Sequence, residues 1–284
     1  MPIENVSDTA RWVAVYRGME TARPDALFRD PYADRLAGPE GLQIVKELKK
    51  GRYLASPMIV RTAVFDELIL DRVRNFGVDT VINLAAGLDT RPWRLALPSS
   101  LRWFDIDLPG ITEYKATAMR GEATSCIYEA IAVDLRDSEA RAELFARIDT
   151  GATTTLVIAE GLLIYLDEMQ VASLARAIVS ITSARWWLID LANPRLLKIM
   201  TRHWGASVSS GNAPFQFAPA SGVGFFDEFG WRELEFRSGI YEAKRLHREM
   251  PMAPLWRLLA RLSSRAGREE FRRMSGYVML ERTT

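Results

Sequence analysis

Between residues 57 and 192 the chain alternates two apolar patterns, one of helical period and one of short continuous runs. Within 57–76 the residues Ile59, Val60, Ala63, Val64, Leu68, Leu70 and Val73 recur three and four apart, which predicts a helix beginning near Pro57 and ended by Gly77. Residues 80–85 (TVINLA) are short and apolar without alternation, the signature of a strand covered on both faces. Four further strand candidates follow at 101–108 (LRWFDIDL), 126–135 (CIYEAIAVDL), 153–159 (TTTLVIA) and 185–191 (RWWLIDL). Helical segments at 109–120, 138–148 and 167–181 lie between them, and this alternation predicts a parallel α/β sheet.

Before this core, residues 7–37 open as a helix, with Ser7 or Asp8 as N-cap and Trp12, Val15, Tyr16 and Met19 at helical spacing; Pro24 and Pro31 then break it. After the core, regularity fails over 193–224, which holds three Pro, four Gly and several aromatic residues. A long irregular stretch inside a domain is usually functional or mobile. Strand candidates return at 231–240 and 276–282, and the basic segment 250–273 between them has a helical period.

Composition narrows the function classes. Thirty-seven Lys and Arg against 36 Asp and Glu leave a net charge of +1, which gives no long-range field toward nucleic acid or an anionic membrane, so a small-molecule partner is expected. Cys126 is the only cysteine and cannot form an internal disulfide; with only His203 and His247 beside it, no metal site is expected. The opening MPIENVSDTARWVAVYRG interrupts every apolar stretch with charge, unlike a signal peptide, and no stretch approaches the roughly 20 apolar residues of a membrane span. A cytoplasmic location and a monomer or homodimer are expected.

The first strand candidate leads into Asn83-Leu84-Ala85-Ala86-Gly87-Leu88-Asp89-Thr90-Arg91. In an open parallel sheet a nucleotide-type cofactor sits outside the carboxyl ends of the strands, so this loop must let a ligand approach backbone. Ala85, Ala86 and Gly87 supply the missing bulk. Asp107 ends the second strand candidate about 20 residues after Gly87, where an acid typically meets ribose hydroxyls. Asp105, two residues earlier on the same face, competes for that role. Asp134 and Glu160 end the third and fourth candidates, so acids gather along one sheet edge; Asp134 suits either an adenine amino group or the cap of the next helix.

The segments SDTARWVAVYRGMETARPDALFRDPYADRLAG, VRTAVFDELI, LAAGLDTRPWRL, FDIDLPGI, AVDLRD and AEGLLIYL occur in that order, followed by GFFDEFGW and a final GYVMLER. Together they resemble the leucine carboxyl methyltransferase family, in particular its bacterial branch with polyketide-type O-methyltransferases. The resemblance implies an α/β class I methyltransferase Rossmann-like sheet, mostly parallel with an antiparallel last strand, plus an N-terminal helical cap and an insertion after the fifth strand. It further implies one domain over 1–284: cap 1–56, cofactor-binding core 57–192, substrate-covering insertion 193–230, and C-terminal strands and helix 231–284.

Carried over by position, the resemblance implies S-adenosyl-L-methionine as cofactor and S-adenosyl-L-homocysteine as product. Arg61 matches the arginine on the methionyl carboxylate, with Arg11 as a second basic group; a guanidinium fork suits a carboxylate. Ala85, Ala86 and Gly87 form the cofactor loop, Asp107 and Leu108 the ribose edge, Asp134 and Leu135 the adenine contacts, and Glu160 lies beside the methionyl part and the acceptor. Trp12, Tyr16, Tyr165 and His203 are substrate-pocket candidates, and Asp89 and Arg91 can pair to fix the loop.

A carboxylate acceptor, with an ordinary pKa of about 4, is already ionised and needs no base. A hydroxyl acceptor would be served by one, with Glu160 and Tyr165 as catalytic candidates beside His203. Two other readings compete. A Rossmann-type NAD-dependent oxidoreductase predicts G-x-G-x-x-G, which Ala85-Ala86-Gly87-Leu88-Asp89-Thr90 does not supply. A non-catalytic S-adenosylmethionine-binding protein would leave acceptor chemistry idle.

Overall fold

The computed structural model describes the backbone of residues 6–47, 51–209 and 214–283, and the side chains of these except 6–8, 51–54 and 203–209. The apolar runs become β1 (Thr80–Leu84), β2 (Arg102–Asp107), β3 (Ile127–Ala132), β4 (Thr155–Ala159) and β5 (Ala184–Ala192), and the later candidates become β6 (Trp231–Ser238) and β7 (Ser275–Arg282). They form one sheet in the order β3-β2-β1-β4-β5-β7-β6. The first five pair in parallel, while β7 runs antiparallel to both β5 and β6. Strand order reverses between β1 and β4, which is where ligands settle in open sheets of this kind. β1 stops short of Ala85 because that residue turns to φ 50, outside the strand region.

The central strands β1 and β4 are buried at every position, as their mostly apolar runs require, with Asn83 of β1 satisfied by Asp105 at 2.9 Å. On one face Ile82, Val157 and Trp187 pack with Leu144, Leu174 and Phe226. On the other, Val81, Leu156 and Trp186 pack with Val64, Leu68 and Val73. Neighbouring residues of one strand thus feed opposite layers.

The helices are α1 (Val6–Thr21), α2 (Ala33–Glu47), α3 (Gly51–Asn75), α4 (Arg91–Arg94), α5 (Pro109–Ala118), α6 (Ser138–Asp149), α7 (Glu168–Val179), α8 (Pro194–Ser209), α9 (Gly239–Arg245), α10 (Ala253–Arg261) and α11 (Arg265–Arg272). Several depart from the pattern-based expectation. Ser7 and Asp8 lie inside α1 rather than ahead of it. Pro57 sits inside α3, so one helical hydrogen bond is missing there; burial of Val60, Val64, Phe65 and Leu68 offsets that loss. The stretch expected to be irregular contains α8, because Pro194 favours a first helical turn and Asn193 Oδ1 accepts the Leu196 amide at 2.8 Å. The segment 250–273 divides in two where Ser264 caps α11, its Oγ accepting from Gly267 N at 3.1 Å.

No helix of the described residues is long and apolar enough to cross a membrane, and these residues hold no cluster suited to a metal ion.

Candidate active site

A cavity of about 600 Å3 opens at the carboxyl edge of β1, β2, β4 and β5, under α1 and beside α8. Ala85, Ala86, Gly87, Asp107, Leu108, Asp134, Leu135, Glu160, Arg61, Trp12 and Tyr165 all line it. The backbone of the β1 loop is exposed to it because Ala85 and Gly87 take φ 50 and 51. Gly accepts that conformation without penalty, whereas Ala85 is strained.

Asp107 is fixed to that loop. Its Oδ2 accepts the Gly87 amide at 2.6 Å and its Oδ1 the Leu108 amide at 2.7 Å. Burial pushes its carboxyl up from its ordinary value, against the pull of those two amides. Each oxygen keeps acceptor capacity, so a vicinal diol fits the donor set. Asp105, the competitor, is consumed internally: Lys115 Nζ lies 2.6 Å away, and Asn83, Trp103 and Tyr128 each donate to it. Of the two readings of Asp134, the helix cap is not borne out. The cap of α6 is Asp137, which accepts from Glu139 and Ala140 amides, while Asp134 borders the cavity and chelates Arg136 at 2.7 Å.

At the other end a buried ion-pair chain joins four elements. Glu160, just after β4, receives Arg61 Nε at 3.0 Å on one oxygen and Arg91 Nη1 at 2.8 Å on the other. Arg91 also meets Asp89 and Asp66 at 2.7 Å each, so the expected pairing of Asp89 with Arg91 is present within a larger network. Burial alone would lower the Arg61 guanidinium, but Asp190 and Glu160 outweigh it and hold the group above its ordinary value. Arg61 Nη1 lies 3.2 Å from Asp190, and Nη2 has no hydrogen-bond partner among the described residues. Gly161, with φ 68, packs under this guanidinium; a Cβ there would sit 2.8 Å from Nη1.

Not every sequence candidate reaches the cavity. Arg11 Nη1 donates to the Tyr114 hydroxyl at 2.7 Å and its guanidinium stacks 3.9 Å above that ring, so α5 captures it. Tyr16 is fully buried, edge-on to Trp12 at 6.3 Å, and does not border the cavity. It supports Trp12 from behind. The side chain of His203, on α8, lies outside the described residues. Tyr165 stacks against Phe215 at 5.7 Å, and burial pushes its phenol up, so it stays protonated at neutral pH.

Sequence reasoning missed Asp190, Asp66, Arg94 and Arg17. Asp190 near the end of β5 continues the row of strand-end acids and was findable by the same rule. Arg94 grips Asp66 through two contacts, at 2.6 and 2.8 Å. Arg17 joins Asp30 at 2.7 Å and the Leu88 carbonyl at 2.5 Å, clamping α1 over the loop. Such pairings, 13 to 71 residues apart, leave no local signal.

A family model of leucine carboxyl methyltransferases matches residues 10–179. A Streptomyces coelicolor protein provisionally named an S-adenosyl-L-methionine-dependent methyltransferase is 40% identical over 170 residues, 56% of this chain and 59% of that protein. The chain thus spans about three-fifths of that relative's length. A Frankia alni protein with the same provisional name is 34% identical over 239 residues, covering 80% of this chain and 83% of its own. A Thermobifida fusca crystal structure, titled provisionally as a methyltransferase, has a TM-score of 0.59 at 13% identity, over 100% of this chain and 96% of that one; it shows a shared fold.

Proposed function

The chain belongs to the leucine carboxyl methyltransferase family, and on that premise we propose that it transfers a methyl group from S-adenosyl-L-methionine to a carboxylate or hydroxyl oxygen of a small, largely apolar molecule. The carrying observation is Asp107, held by the Gly87 amide at 2.6 Å on a loop whose backbone faces the cavity. The residues present suit this cofactor: Asp107 for the ribose diol, Leu108 and Leu135 with Asp134 for the adenine, and the unengaged Nη2 of Arg61 for the methionyl carboxylate. When bound, S-adenosyl-L-methionine supplies an electrophilic methyl group on a sulfonium.

The protein's part is alignment and exclusion of water. Arg61, fixed by Glu160 and Asp190, orients the amino-acid end. Glu160, engaged on both oxygens by guanidinium groups, acts as a positioning residue and not as a free base. Trp12, Met58, Tyr165, Met200 and Phe215 enclose the acceptor half in apolar surface, with Tyr165 able to donate a hydrogen bond. A carboxylate acceptor needs no base, and the protonated Tyr165 phenol suits that case better. The oxidoreductase reading has no support: the loop lacks the glycine pattern, and the family is a methyltransferase one.

Calorimetry with S-adenosyl-L-methionine, S-adenosyl-L-homocysteine and NAD tests the proposal. Binding of the first two without NAD is expected, followed by label transfer from methyl-labelled cofactor into an acidic extract fraction. Tight NAD binding alone would overturn it, and cofactor binding with no transfer to any extract would favour a binding protein.

A further inference from the structure

Helix α10 is turned inside out. Met252, Leu255, Leu258, Leu259 and Leu262 recur at helical spacing along one face and all are exposed, Leu262 at 78%. Trp256, on the same side, is 51% exposed, while Arg257 on the opposite face is mostly buried and paired with Glu249. No residue of α10 or α11 belongs to the buried core. A contiguous apolar stripe of this kind is rare on a soluble monomer unless something covers it.

The charge around the stripe indicates what does. Arg261 at the end of α10 and Arg265 and Arg268 in the first turn of α11 are exposed, and none has a carboxylate partner among the described residues. Arg268 Nη1 donates to the Ser263 carbonyl at 2.8 Å, which holds its guanidinium against the turn that carries Leu262. Arginines nearby are neutralised, Arg272 by Glu269, Arg273 by Glu233 and Arg195 of α8 by Glu270. The unpaired charge is therefore concentrated beside the exposed apolar end of α10. The chain-wide charge of +1 hides this local excess.

We propose that α10 and the start of α11 dock on an anionic lipid surface, with the Leu and Trp face in the acyl boundary and the three arginines against lipid phosphates. Apolar face plus flanking guanidinium groups is the chemistry of an interfacial helix, which lies in the membrane plane and does not cross it. The position fits the cavity: Met250 before α10 and Met274 after α11 both line it, with Leu196 and Met200 of α8. Docking brings that apolar opening close to the lipid. The surface stands independently of which reaction the cavity performs.

The test uses the full chain with phosphatidylcholine vesicles, with and without phosphatidylglycerol. Co-sedimentation with the anionic vesicles only is expected, weakening as salt rises. A blue shift of tryptophan emission should accompany it and vanish in Trp256→Phe. Leu255→Glu with Leu259→Glu, both at exposed positions and so compatible with folding, should lower binding at least tenfold; Arg265→Ala should lower it about fivefold. Absence of vesicle binding by a folded wild type overturns the proposal. So does a concentration-dependent dimer that the double Leu variant dissolves without any vesicle binding, because the stripe then belongs to a second copy of the chain.

Discussion

Arg91 and Glu160 stand 2.8 Å apart, Nη1 to Oε2, and through that contact the loop after β1 is bound to the end of β4. Glu160 holds Arg61 with its other oxygen at 3.0 Å. Removing this carboxylate leaves two buried cations short of a partner. Glu160→Ala should cost about 3 kcal/mol of stability, since breaking a buried pair from one side exposes the other to desolvation. Denaturant unfolding measures it. A loss under about 0.5 kcal/mol would mean the network is not what joins these elements.

Arg61→Ala and Asp107→Ala should each weaken S-adenosyl-L-methionine binding by roughly ten- to a hundredfold, the scale of a lost charge-assisted hydrogen bond. Arg61→Lys should recover little, because a single ammonium cannot span Glu160, Asp190 and a ligand as the fork does. Titration calorimetry reads all three, and unchanged affinity in Asp107→Ala would place the ribose elsewhere.

Cofactor affinity should also fall on acidification. Burial raises the Asp107 carboxyl, so its charged form is lost at a higher pH than that of an ordinary aspartate as pH drops. Affinity measured from neutral to mildly acid pH should decline in the wild type and stay flat in Asp107→Asn.

At Gly161 a side chain meets two obstacles. Its φ of 68 disfavours any Cβ, and the new atom would lie 2.8 Å from Arg61 Nη1. Gly161→Ala should destabilise the fold by about 1–2 kcal/mol and displace the guanidinium, weakening cofactor binding nearly as much as Arg61→Ala. Retained affinity at reduced stability would separate the two roles and count against Arg61 as the carboxylate ligand.

Asp149 ties the end of α6 to the turn before β5, accepting from the amides and hydroxyls of Thr182 and Ser183. Burial raises its carboxyl, but those four donors outweigh it and bring the group down to about 2. A carboxyl depressed in the fold stabilises it above its unfolded value near 4, and that contribution fades as pH falls toward about 2. Asp149→Asn should therefore lose roughly 1 kcal/mol at neutral pH, discounted for solvent screening, and show a flatter acid limb between those two values. Equal losses at pH 7 and pH 2 would contradict the assignment.

The sheet was legible in the sequence because strand burial is written locally. β1 and β4 are buried at every position and mostly apolar, and the acids Asp107, Asp134 and Glu160 stand at or within two residues of the ends of β2, β3 and β4. What only the tertiary structure decided is how each helix is rotated and which distant charges meet. Arg11 and Trp12 are adjacent in sequence, yet one helical step of about 100° sends Arg11 to Tyr114 and Trp12 to the cavity. Asp105 and Asp107 share a strand face, and only the packing of Lys115, Asn83 and Tyr128 consumes the first and leaves the second available. The network of Arg61, Arg91, Asp66, Glu160 and Asp190 draws on α3, α4, the end of β4 and β5, and a Coulomb pair of that kind depends on distance in space, which no spacing along the chain encodes.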